Sequence, residues 1–131
     1  MPRWSPYAAG ALFVSAGVMH FAKPDFFESI MPDWVPNAKL ANQLSGAAEI
    51  ALGVGMFVPQ GRRASALGLL ALTAAVFPAN IDMAVNNVEL KPVDGKMTRS
   101  VGTAKGPQNW IRLPMQFPLA WWLWREASAA A

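Results

Sequence analysis

The chain has 131 residues, 53% of them hydrophobic and 15% charged, with a net charge of +3, no cysteine and one histidine. That length fits one domain over residues 1–131, and the charged fraction lies well below the ~25% usual in soluble domains. Without cysteine there is no disulfide, thiolate or iron–sulfur chemistry; His20 alone supplies neither a zinc set nor a bis-histidine haem site; and basic residues scattered over loops, with no interleaved aromatic stripe, exclude nucleic acid as a partner.

Charges gather in 23–39, at Arg62 and Arg63, in 89–105 and at the two ends, which leaves long apolar blocks between them. The first block, read as a span over about 4–21, is longer than a signal-peptide core and is followed by no small-x-small cleavage site, so it reads as uncleaved. The segment from Lys23 to Lys39 places Phe26, Phe27, Ile30 and Met31 on one side and Asp25, Glu28 and Ser29 on the other. Bounded by Pro24 and Pro32, it predicts either a short interfacial helix over the bundle mouth or a linker with aromatics dipping into lipid. A second span over about 41–58 is interrupted only by Glu49. A tight turn, Pro59 to Arg63, leads to a third span over about 64–84. Its stretch from Ala64 to Ile81 runs eighteen residues without a charge.

The polar segment from Val85 to Gln108 reads either as a flexible loop or as a docking surface. The last block, about 110–124, is short and carries Pro114 and Pro118, which a membrane helix tolerates when its neighbours satisfy the freed carbonyls. These readings add up to an all-α fold, a bundle of four transmembrane helices with a short interfacial helix between spans 1 and 2. The tryptophans fall at span ends or in loops: Trp4, Trp121, Trp122 and Trp124 mark one face, Trp34 and Trp110 the other. By density of arginine in short segments (Arg3, Arg62, Arg63, Arg125), both termini are expected in the cytoplasm.

Ionisable groups inside apolar helices need compensation. Glu49 sits mid-span among Ser45, Gly46 and Gly53, small residues that let a neighbouring helix approach, and Arg112 is its expected counter-ion. Gln116 lies one turn after Arg112, Asn80 follows Pro78 where the Ala74 carbonyl wants a donor, and His20 closes the first span. The convergence of His20, Glu49, Asn80, Arg112 and Gln116 predicts either a ligand site or a buried network that locks helix packing. A quinone, ubiquinone or menaquinone, suits the first alternative: His20, Asn80, Arg112 and Gln116 bind its carbonyls, and Glu49 and His20 relay protons catalytically.

The blocks GVMHFAKPDFFESIMPDWVP, SGAAEIALGVGMFVPQGRR, GLLALTAAVFPANIDMA and WIRLPMQFPLAWWLWR resemble the DoxX family of small four-helix membrane proteins. The resemblance implies a four-helix membrane bundle in the inner (cytoplasmic) membrane of a bacterium, related to small subunits of quinol-linked oxidases and to redox-maturation proteins. The chain departs from the cysteine-bearing relatives in having no cysteine. The resulting expectation is a quinone-associated accessory subunit that lies in the lipid bilayer beside a redox protein partner, with a homo-oligomer open and no haem or metal. The competing readings are a non-catalytic scaffold that recruits a partner through its outer loops, and a proton-coupled small-solute transporter.

Overall fold

Prolines and glycines set the borders of the helices. The computed structural model describes residues 2–102 and 108–130. Helix α1 (Ser5–Ala22) has a proline in its first turn, where the missing N–H costs nothing, and helix α2 (Pro24–Ser29) starts on Pro24. Helix α3 (Ala38–Gly55) is capped by Asn37, whose Oδ1 accepts the Leu40 N–H at 3.0 Å. A 3-10 turn (Pro59–Gly61) feeds helix α4 (Arg62–Val85), and helix α5 (Gln108–Ala129) closes the fold. Between α4 and α5 runs an antiparallel hairpin, β1 (Glu89–Val93) against β2 (Lys96–Ser100). Its loop is Asp94-Gly95, both at positive φ (51° and 79°), the two-residue turn whose twist matches that of paired strands.

The long helices pack chiefly as two pairs, α1 on α3 and α4 on α5. Backbone approach explains the first. A Cβ added at Gly17 would lie 2.7 Å from the Gly46 carbonyl oxygen, and one added at Gly46 would lie 2.7 Å from the Cβ of His20. The second pair is tied at one end by Asn109, whose Nδ2 donates to the Met83 and Val88 carbonyls at 3.0 and 2.7 Å, satisfying the C-terminus of α4. Ala9 and Phe13 of α1, Ala66 and Leu69 of α4, Leu123 and Ala127 of α5, and Met56 just after the end of α3 form a buried core. Large apolar side chains also point outward on every long helix: Leu12 and Val18, Leu44 and Val54, Leu67 and Val76, Ile111 and Phe117.

The expected four-span bundle is not what the fold shows. Among the described residues there are five α-helices and a two-stranded sheet, and a single helical stretch, Pro59–Val85, is long and apolar enough to cross a bilayer. The other long helices are diluted. Serine, proline and His20 interrupt α1; Asn42, Gln43 and Glu49 interrupt α3; Arg112, Arg125 and Glu126 interrupt α5. The 18 residues of α1 and of α3 also extend only ~27 Å at 1.5 Å per residue. The segment from Val85 to Gln108, open between loop and docking surface, contains the hairpin, while residues 103–107 lie outside the described part.

The hairpin is bolted onto α2. Asp25 accepts the Met97 N–H at 2.6 Å and Ser29 Oγ donates to the Met97 carbonyl at 2.8 Å, so two side chains of one short helix satisfy both backbone groups of a strand residue. Arg99 of β2 adds an ion pair to Asp82 at the end of α4 and another to Asp33 at 3.1 Å. Helix α2 is thus held between the bundle and the sheet.

Candidate functional site

The polar groups expected to converge form two separate clusters. The first joins α1 to α3. Asn42 Nδ2 donates to the His20 carbonyl at 2.8 Å, which leaves Asn42 Oδ1 facing His20 Nδ1 at 2.7 Å. An oxygen acceptor there requires the proton on Nδ1, so Asn42 fixes the imidazole tautomer. His20 Nε2 then faces Glu49 Oε2 at 3.4 Å, an ion-pair distance. Glu49 Oε2 is buried and has no hydrogen-bond partner among the described residues.

A bare nitrogen lone pair against a carboxylate would be repulsive, so one proton belongs between them, as imidazolium and carboxylate or as imidazole and carboxylic acid. Either form is neutral as a pair, which is what a site with side chains 10% and 13% exposed can hold. Phe27 of α2 stacks on the His20 ring with centroids 3.9 Å apart and an interplanar angle of 17°, and Phe26 meets Phe27 edge-on at 5.3 Å. The dyad is therefore roofed by the helix that the hairpin holds.

The second cluster joins α4 to α5. Asn80 Nδ2 donates to Gln116 Oε1 at 2.8 Å, and Gln116 Nε2 donates to the Thr73 carbonyl at 3.2 Å. Pro78 breaks the backbone ladder of α4, and Gln116 supplies a donor from the neighbouring helix to a carbonyl one residue before the expected Ala74. Beside it lies an apolar recess of about 190 Å³ lined by Leu70, Thr73, Ala74, Phe77, Gln116, Phe117 and Ala120. Phe77 and Phe117 meet at 5.9 Å at this recess.

Arg112 belongs to neither cluster. It is exposed, its Nη1 lies 3.8 Å from the Met83 sulfur, and Glu49 has His20 as its ionic partner. Of the five residues read as one site, the structure pairs His20 with Glu49 and Asn80 with Gln116, and leaves Arg112 one turn from Gln116 at the surface. Two residues escaped the sequence reading. Asn42 lies in the stretch read as interrupted only by Glu49, and Arg99 in the polar segment between the last two apolar blocks. The Asp-Gly pair between alternating residues was the available signal that Arg99 lies on a strand. Among the described residues no cluster of histidine and carboxylate side chains is arranged to hold a metal ion.

Outside the bundle, the Met97 amide bonded to Asp25 holds that carboxyl below the usual carboxylate range.

The expected DoxX membership is overturned by comparison with known families. Its carrying blocks share small and apolar residues at positions that any closely packed apolar helix uses, so they did not discriminate. Neither the curated proteins nor the solved structures contain a match to this chain. A family model does match, over residues 9–127, and its description is a domain of unknown function, DUF8561. The match spans both polar clusters, the hairpin and most of every long helix; the chain belongs to the DUF8561 family.

Proposed function

We propose that this protein resides in a lipid bilayer, anchored through α4, as an accessory subunit of a quinone-linked redox system. The observation that carries the reading is the His20–Glu49 pair, 3.4 Å apart with the imidazole oriented by Asn42, inside an apolar helical body. Reduction of a quinone takes up protons, and a dyad that is neutral with one shared proton can pass that proton on and be refilled. The recess between α4 and α5 suits the apolar part of a quinone, with Gln116 at its wall and Arg112 one turn away as a donor for a ring carbonyl. The outward apolar side chains on all long helices support residence in lipid, because a monomer in water rarely leaves so much apolar surface uncovered.

The test is extraction. Protein purified from membranes in a mild detergent is extracted with organic solvent and the extract is chromatographed for ubiquinone and menaquinone, comparing wild type with Phe77→Trp, which fills the recess. A stoichiometric quinone, depleted in the variant, is the expected result; no quinone in either sample, with no thermal stabilisation by added quinone, overturns the reading.

A specific observation favours a second reading, a scaffold without redox chemistry. Asn80 and Gln116 already satisfy each other and the Thr73 carbonyl, as a packing network would. In that case the hairpin, which stands outside the helices, is the surface that meets a partner.

A further inference from the structure

At the end of the bundle opposite the hairpin, the start of α1, the start of α4 and the end of α5 border an open cavity of about 260 Å³. Arg3, Tyr7, Arg62 and Glu126 supply its polar lining. Arg62 is held in place: its Nε donates to the Met56 carbonyl at 2.8 Å and its guanidinium lies 5.3 Å from the centre of the Tyr7 ring. Helix α1 carries no side-chain cap at its N-terminus, so the positive end of its dipole reinforces the two guanidiniums. A phosphate is the group that arginine forks and helix N-termini recognise together.

The cavity also holds one negative charge of its own. Glu126 is 2% exposed, and its Oε1 is engaged by the Ser5 hydroxyl, which in turn accepts the Trp122 indole N–H at 2.8 Å. Two guanidiniums and one fixed carboxylate complement a ligand that carries a phosphate and, a short distance away, an ammonium. Exposed Trp4, Trp121 and Trp124 surround this same end, with Arg125 lying 5.6 Å from the Trp121 ring centre. Such rings prefer the headgroup level of a bilayer.

We infer that this cavity binds the phosphoethanolamine headgroup of a phospholipid, Arg3 and Arg62 taking the phosphate and Glu126 the ammonium. The inference rests on the bilayer residence proposed above. It is independent of any quinone.

The test uses the full chain in detergent, with native mass spectrometry reading lipid occupancy after addition of phosphatidylethanolamine, phosphatidylglycerol or phosphatidylcholine at equal concentration. Phosphatidylethanolamine is expected to be retained several-fold more than either of the others. Arg3→Gln, at an exposed position, should lower occupancy by all three. Glu126→Gln, which keeps an oxygen acceptor for Ser5, should erase the preference over phosphatidylglycerol. Equal occupancy by the three lipids in the wild type, an occupancy unchanged by Arg3→Gln, or a preference unchanged by Glu126→Gln overturns the assignment. Displacement of the lipid by an equal concentration of soluble glycerophosphoethanolamine would place the recognition in the free headgroup and overturn the lipid source. Carbonate extraction of native membranes keeps the two proposals apart: release of the chain defeats bilayer residence, whereas a membrane-retained chain without lipid preference defeats only this inference.

Discussion

Asp25 accepts the backbone N–H of Met97 at 2.6 Å, across 72 positions of sequence, and this bond couples the second helix to the second strand. It also gives the docking of the hairpin a pH dependence. The Asp25 carboxyl is lowered from 3.8 by that same N–H, so its contribution is complete above 3.8 and disappears as pH falls through the lower folded value. Hydrogen exchange at the Met97 amide should accelerate, beyond its intrinsic pH dependence, as pH drops below about 3.8. Asp25→Asn should remove the step; exchange that follows only the intrinsic curve in the wild type would show that the bond does not hold the strand.

Arg99 is the other fastener. Its side chain is 13% exposed and pairs with Asp82, itself 13% exposed, and with the well-exposed Asp33. Arg99→Ala would leave the Asp82 carboxylate enclosed without its cation, so a loss of about 3 kcal/mol is expected. Asp33→Ala should cost less than about 1 kcal/mol, since that partner is largely solvated. Thermal melts of the two variants in one detergent compare them directly, and equal shifts would contradict the ranking.

The close passage of α1 over α3 is tested by adding single methyl groups. Gly46→Ala forces a Cβ to 2.7 Å from the Cβ of His20, so the helices must part and stability should fall by about 1–3 kcal/mol. Gly61→Ala places its Cβ no closer than 3.8 Å to any neighbour, and its effect should stay within about 1 kcal/mol. A Gly46 variant as stable as the Gly61 variant would mean that the helices are not in contact there.

Glu49 and Arg112 should behave very differently on truncation. Glu49→Ala removes the pairing partner of a buried histidine and is expected to cost about 3 kcal/mol, with much of the loss recovered in the double variant Glu49→Gln/His20→Gln. Arg112→Ala takes away an exposed side chain whose nearest polar contact is a thioether, and a change within about 0.5 kcal/mol is expected. A large destabilisation by Arg112→Ala would restore it as the partner of Glu49.

These contrasts show how far the residues could be read in advance. Apolar runs broken by Pro24, Pro59 and the charged segment after Val85 marked where helical stretches begin and end. Treating each run as a membrane span was the error, because polar residues buried against other helices, such as Asn42 and Glu126, lower the apolarity of α3 and α5. Helical spacing placed Glu49 on the face with Gly46 and Gly53, and α1 does lie against that face. Spacing identifies a face and not the neighbour it meets, so His20 and Arg112 were equally eligible as partners until the packing of α1 on α3 was known. The hairpin is legible in its Asp-Gly turn, but the segment around it is polar and reads equally well as a loop.

The stacking of Phe27 on His20 ties that imidazole to a distant piece of chain. Helix α2 is too short to stand alone, with six residues and no side-chain cap at its start, and its place is kept by the clamp on Met97. A protease cut at the hairpin tip near Gly95 would therefore be heard at the first helix: the aromatic lid would lift, water would reach Nε2, and the histidine resonances would report damage done 75 positions downstream.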